Sequence, residues 1–447
     1  MNTHLHRRWL GADGLQVTPR LVLPLSLALA VLAGSAATGS SGSTGDRSSP
    51  LAGVRTALSR PVGTALSLPA AALGQRVLAA LATSGATTIG VAVDVDGLGA
   101  VLRRSDTTAL PPASTQKLFT TGAALAGLPA DTRLRTTVVA VGTPVAGRQP
   151  GSLWLVGGGD PFLTGADLQG LARSVRRAHI TVITGSLVLD DSRYDARSRA
   201  AGWKAEFVPG ESGPLSALAV DRNTWRRDPA FVADPGLPAL ARFRGYLASY
   251  GVQVLGGLRR GLQPRVSQVL AEHRSGPLAD IVQRINKDSD NFAAELMLKE
   301  LGRVRRGDGS TAGGLQAARD VLGPLGVPPG TATDGSGLSA DDRQTPAAEL
   351  ALLTAFEGTP AGAALQAALP MACQDGTLAH RMCGTAGAGR VMAKTGTLDG
   401  VRALAGWTTT AGGRPVRFAF LLTGYRDGLT ARNALDRAAV VLSAATE

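Results

Sequence analysis

The chain has 447 residues, enough for two or three domains, and it is 44% hydrophobic but only 4% aromatic, so its core is aliphatic. Its formal net charge is +12, yet the arginines are scattered, with no aromatic-interleaved basic run and no nucleic-acid motif. That excludes a nucleic-acid partner and leaves a solvated basic surface or attraction to an acidic envelope polymer. Two cysteines and five histidines, among them His4 and His6 near the start, leave little for a metal site, and no cofactor is expected.

Arg7, Arg8 and Arg20 precede an apolar run from Leu21 to Ala33, and small residues follow at Ser35, Ala36 and Ala37. This is the pattern of an export signal over residues 1–37. The run is short for a membrane span, which favours cleavage; an uncleaved signal would give loose membrane association. The expected location is the cell envelope outside the cytoplasmic membrane. Residues 38–60 open with TGSSGSTGDRSS and read as a flexible linker.

A helical apolar pattern follows over Ala70–Ala82. Ile89–Val95 and Ala100–Arg103, broken by Asp96-Gly97, read as a β-hairpin. Pro111 and Pro112 precede Ser114, and an apolar helix then runs to about Ala126, stopped by Gly127 and Pro129. From 132 to 264 the texture changes to short strands at Arg135–Val141, Leu153–Val156 and Ser186–Leu189, with helices near Asp167–Arg177 and Leu237–Tyr250. This predicts an inserted α/β unit. Helices return at Leu278–Asn286 and Asn291–Leu301, followed by a glycine-rich segment. Strands are expected at Arg390–Thr397, Arg402–Thr410 and Pro415–Thr423, and a last helix at Leu429–Ser443. Strand pairs near both ends of the chain predict one sheet built from both, spanning 61–131 and 265–447.

Three short words stand out in this frame: Ser-Thr-Gln-Lys at 114–117, Ser-Asp-Asn at 289–291 and Lys-Thr-Gly-Thr at 394–397. Each alone is weak; the set and its order describe serine acyl transfer with a lysine as general base. Of 46 basic residues only Lys117, Lys204, Lys287, Lys299 and Lys394 are lysine. Two of the five occupy positions where arginine, which cannot lose its proton, would fail as a base.

Ser114 and Lys117 are three apart at a helix start, so Oγ and Nζ can meet. The helix N-terminus favours an oxyanion and disfavours a charged lysine. The alternative is an N-cap serine and a solvent-facing lysine. Ser289, Asp290 and Asn291 either cap a helix with support from Glu295, or set Ser289 against Lys117 as a proton relay and Asn291 against a substrate amide. Lys394 lies in a strand pattern, where it either faces solvent or holds a substrate carboxylate with Thr395 and Thr397. Gly396 would let substrate approach the backbone. Cys373 and Cys383 are either a disulfide, permitted by export, or two buried thiols.

These words, with LVGGGDP at 155–161, LDDS at 189–192, VDRN at 220–223, DGSGLS at 334–339, DGTL at 375–378 and AKTGTL at 393–398, resemble the D-alanyl-D-alanine carboxypeptidase/endopeptidase family. These are the class C low-molecular-mass penicillin-binding proteins, of the penicillin-binding protein 4 type. The resemblance covers nearly everything after about residue 60. It implies an α+β fold: a transpeptidase/β-lactamase-like domain, with a five-stranded antiparallel sheet between helices, carrying an inserted α/β domain. It also implies cleavage of peptidoglycan stem peptides through an acyl-enzyme on Ser114, with backbone N–H groups of Ser114 and Thr397 as oxyanion donors, and covalent capture by β-lactam antibiotics. The stretch between Lys117 and Ser289 is short beside members with two nested inserts, so the smaller nested unit is expected to be reduced or absent. A β-lactamase, or an envelope-binding protein with a degenerate site, is the alternative. Length, insert and the lack of a deacylating Glu motif speak against the first, and the intact motifs against the second.

Overall fold

The computed structural model describes residues 68–328 and 330–446; the expected signal and linker lie outside them. The main sheet has five antiparallel strands in the order Met392–Leu398, Val401–Thr409, Pro415–Thr423, Thr88–Val95, Gly99–Arg104. The expected hairpin and the three late strands therefore share one sheet, as the pairing of chain ends predicts. Thr88–Val95 pairs with Pro415–Thr423 from Thr88↔Thr423 to Val95↔Val416, so early and late strands of the chain are stitched by a central ladder.

Both central strands are buried on both faces, which is why they read as continuous apolar runs rather than alternating ones. Helices Leu68–Ala82 and Gly428–Ser443 cover one face. Leu73, Val77, Leu81, Leu435 and Leu442 pack there against Val91, Val93, Phe418 and Phe420. The other face carries the helix Pro346–Phe356 and the short 3-10 turn Ala113–Thr115 that leads into the helix Gln116–Gly127. Each fully buried leucine contributes about 1.5–3 kcal/mol by leaving water, so this aliphatic core needs few aromatics.

A second five-stranded sheet is mixed. Its order is Gln268–Arg274, Arg135–Ala140, Leu153–Val156, Leu187–Asp190, Leu258–Arg260, with the first two pairings antiparallel and the last two parallel. Helices Gly165–Arg177 and Gly236–Ser249 bury Leu168, Leu171, Val175, Leu240, Phe243 and Leu247 against Val138, Leu155 and Leu187. The boundary expected at 264 falls before a strand of this sheet, because Gln268–Arg274 pairs with Arg135–Ala140. That strand has only one buried residue, Ala271, so its alternation is faint in sequence.

The segment read as merely glycine-rich holds three helices: Thr311–Leu322, Pro346–Phe356 and Pro360–Ala368. Each has a local start signal. Ser310, Thr345 and Thr359 are N-caps whose side chains accept from Gly313, Ala348 and Gly362 N–H, and proline occupies the first turn of the last two.

Candidate active site

The first catalytic word begins on a turn under tension. Ala113 has φ of 49°, a left-handed conformation that costs an alanine about 1 kcal/mol, and the 3-10 turn Ala113–Thr115 then presents Ser114. Gly396 of the late edge strand lies against this turn. A Cβ there would come within 2.7 Å of the Pro112 carbonyl oxygen and 3.3 Å of Ala113 Cβ. Gly396 was expected to admit substrate; the backbone it admits is the protein's own.

Lys117 follows one turn later and is fully buried. Its Nζ lies 2.9 Å from Ser114 Oγ, 2.7 Å from Asn291 Oδ1 and 2.6 Å from the Ser336 carbonyl oxygen. The last two groups can only accept, whereas the serine hydroxyl can donate. A neutral amine has two hydrogens and one lone pair, so two hydrogens serve Asn291 and Ser336 and the lone pair meets Ser114. Burial lowers the Lys117 pKa to about 8, opposed by the carboxylates of Asp334, Asp290, Glu295 and Asp342.

The second word sits where the helix Leu278–Lys287 gives way to Asn291–Arg306. Ser289 has φ of 56°, and Asp290 is the N-cap, accepting from Ala293 N–H at 3.0 Å. Glu295, expected to support that cap, is buried instead against a different loop, where it accepts from Gly335 and Ser336 N–H. Ser289 was expected beside Lys117. Its Oγ is bonded to Lys394 Nζ at 2.9 Å, and Asn291 takes the place on Lys117.

Lys394 is not solvent-facing: it is fully buried and also donates to the Thr395 carbonyl oxygen at 3.0 Å. Burial, with the neighbouring Lys117 charge second, lowers its pKa well below the usual lysine value. Thr395 Oγ1 donates to Thr377 Oγ1 at 2.9 Å, and Thr397 is exposed at the strand's open edge. Thr377 belongs to the loop closed by a Cys373–Cys383 disulfide; in the same loop Asp375 ion-pairs with Lys287, two residues before Ser289.

Residues 75–230 and 226–445 match the model of the D-Ala-D-Ala carboxypeptidase 3 (S13) family. The chain belongs to that family. A carboxypeptidase of Mycolicibacterium smegmatis, DacB, is 33% identical over 356 residues, which cover 74% of this chain and 75% of the relative. A D-alanyl-D-alanine carboxypeptidase of an Actinomadura species is 30% identical over 379 residues, 67% of this chain and 70% of its own. The fold is also that of the crystal structure of penicillin-binding protein 4 from Haemophilus influenzae. The TM-score is 0.74 at 23% identity, over 81% of this chain and 97% of that one.

In this S13 carboxypeptidase Lys117 is held by a loop whose role motif reading did not reveal. Asp334, fully buried, accepts from the N–H groups of Ser336, Gly337 and Ser339 and from Trp203 Nε1 at 2.7 Å. This folds DGSGLS into a tight loop that aims the Ser336 carbonyl at Lys117. Burial raises Glu295 and Asp342 to about 8, each also repelled by Asp334. The signal for this loop was present, since Asp334-Gly-Ser-Gly offers turn residues around one acceptor, but its partner lies 219 residues away in sequence.

Proposed function

We propose that this S13 carboxypeptidase is exported by the signal at 1–37, with 38–60 as a flexible linker. It acts in the cell envelope on peptidoglycan stem peptides ending in D-Ala-D-Ala, through an acyl-enzyme on Ser114. The observation that carries this reading is the Lys117 Nζ–Ser114 Oγ contact of 2.9 Å, made by a fully buried lysine whose other two partners can only accept. We read the insert as running from 132 to Arg274, because Gln268–Arg274 pairs into its sheet.

Neutral Lys117 removes the Ser114 proton as Oγ attacks the carbonyl carbon between the two D-alanines. The oxyanion is met by the backbone N–H groups of Ser114 and Thr397. As the C–N bond breaks, Ser289 passes its hydroxyl proton to the departing amine and is reprotonated from Lys394, which lies 2.9 Å away. Lys117 then gives up its proton to solvent and Lys394 regains one, so Lys117 is again the free base. Water attacks the ester, Lys117 takes the proton of the water and returns it to Ser114 Oγ as the acyl C–O bond breaks, releasing the shortened peptide acid. Thr395 and Thr397, with Thr377 beside them, offer hydroxyls to the terminal carboxylate, and the Lys394 charge lies behind them. Attack by another peptide amine would give transpeptidation. A β-lactam acylates the same Oγ, but its opened ring stays attached.

Mass spectrometry of the protein after exposure to a labelled penicillin tests the reading. The adduct is expected on the peptide containing Ser114, and Ser114→Ala is expected to abolish it. An adduct on another serine would overturn the site, and rapid penicillin turnover would favour a β-lactamase.

A further inference from the structure

Glu349 is a buried carboxyl whose one partner is the residue after the nucleophile. It lies on the helix Pro346–Phe356 with no exposed surface. Thr115 Oγ1 contacts its Oε1, and its Oε2 has no hydrogen-bond partner. Strands Thr88–Val95, Val401–Thr409 and Pro415–Thr423 and helices Gln116–Gly127 and Pro360–Ala368 pack against this helix. Their charged groups are Asp94, Arg402, Arg417 and Lys117. Each is engaged elsewhere: Asp94 with Arg103, Arg402 with Tyr425, Arg417 with Asp96 and Glu357, and Lys117 with Ser114. Among the described residues, burial raises the Glu349 pKa and the Thr115 hydroxyl opposes it.

The hydrogens decide its state. Thr115 has one hydroxyl hydrogen, and its Oγ1 lies 2.8 Å from the Pro112 carbonyl oxygen, which can only accept. With that hydrogen on Pro112, the contact between Thr115 and Glu349 needs a proton from the carboxyl. A neutral Glu349 supplies it, closing a chain from Glu349 through Thr115 to Pro112. An ionised Glu349 would take the Thr115 hydrogen for itself and leave a charged oxygen buried without a donor. Burial accordingly pushes this carboxyl up to about 8.

Pro112 is where the nucleophile's turn is set. Its carbonyl lies against Gly396, and the left-handed Ala113 follows it. A residue held in that conformation needs its surroundings to fix it. We propose that Glu349 is a positioning residue for acylation: as a neutral acid it ties Thr115 to Pro112 and holds the turn that presents Ser114. This rests on Ser114 as the nucleophile.

The test is the second-order rate of acylation by a chromogenic cephalosporin, followed from about pH 6 to about pH 10, with the adduct located by mass for each variant. In the wild type the rate should rise as Lys117 loses its proton and fall again as Glu349 ionises. Glu349→Gln keeps a donor that cannot ionise. It should acylate within about threefold of wild type near pH 7 and lose the alkaline fall. Glu349→Leu removes the donor and should acylate at least about tenfold more slowly near pH 7. If Glu349→Leu does not fold, the Glu349→Gln profile decides alone. An alkaline fall that persists unchanged in Glu349→Gln overturns the proposal while Ser114 labelling stands. So does wild-type acylation by a folded Glu349→Leu. An adduct on another serine in the wild type overturns both this proposal and the reading beneath it.

Discussion

Lys394 Nζ donates to Ser289 Oγ at 2.9 Å, while Lys117 reaches Ser114, Asn291 and the Ser336 carbonyl. The two buried lysines thus serve two different serines. In the proposed mechanism one activates the nucleophile, and the other stands behind the hydroxyl that faces the leaving group. An amide needs that second proton because an amine leaves poorly as an anion; a thiolester does not. Ser289→Ala should therefore lower kcat/KM on a D-Ala-D-Ala peptide by about 10²–10⁴, the usual worth of general acid–base help. Its effect on an equivalent thiolester should stay below about tenfold. Steady-state kinetics on both substrates checks this, and equal losses would make Ser289 a structural residue.

Lys117 is expected to tolerate no replacement that keeps only its charge. Lys117→Arg should acylate as slowly as Lys117→Ala, since a guanidinium does not release its proton in this range. In the wild type the lysine pKa is lowered to about 8, so the free base grows as pH rises toward that value. On this acid limb the acylation rate should rise about tenfold per pH unit, which a pH series of single-turnover measurements reads directly. Rapid acylation by the arginine variant at neutral pH would show that Lys117 acts by its field alone.

The open edge of the strand Met392–Leu398 is expected to read the substrate's terminal carboxylate. Thr397 is exposed there, and Thr395 shares a hydrogen bond with Thr377. Charge-assisted hydrogen bonds are worth about 1.5–3 kcal/mol, so amidating the peptide's C-terminus should lower kcat/KM by at least about tenfold. Lys394→Ala should discriminate acid from amide less sharply than wild type. Identical ratios in the two proteins would remove Lys394 from carboxylate recognition.

The Cys373–Cys383 bridge closes the loop that carries Thr377 and Asp375. Replacing both cysteines by serine should cost about 2–3 kcal/mol of stability, as expected for a short closed loop. Because Thr377 touches Thr395, KM for the free-acid peptide should rise more than kcat falls. Urea unfolding and steady-state kinetics on the double variant check both halves.

The main sheet was legible because its central strands are largely apolar and its strands lie at both ends of the chain, so pairing them needed no knowledge of the middle. Ser114, Lys117, Asn291 and Lys394 were legible as words, and the structure brings them to one place. Their partners were not. The functional reading of the Ser-Asp-Asn motif set Ser289 beside Lys117, but the positive φ at Ser289 helps set its hydroxyl toward Lys394 instead. Lys394 reads as a surface lysine in any strand pattern, because its burial is imposed by neighbours far away in sequence. Glu349 sits after an ordinary Thr-Pro helix start, and nothing local distinguishes it from a solvent-facing glutamate. Its closeness to Thr115 exists only after 234 residues of intervening chain have folded.

The second sheet looks like a detachable module on a topology diagram, yet its connecting segment reaches the residues that surround Lys117. Trp203 donates to Asp334, Arg222 pairs with Asp290, and the Glu211 carbonyl accepts from Asn291 Nδ2 at 3.2 Å. Farther along the helix Asn291–Arg306, Glu300 is engaged by Arg193 and Tyr194, and Lys299 by Asp195. Recombining the insert of one relative with the main sheet of another would therefore exchange the groups that hold Asn291, Asp290 and Asp334 around Lys117. The heritable unit of activity here is the whole described chain, and divergence in the insert is constrained by groups that it touches but does not contain.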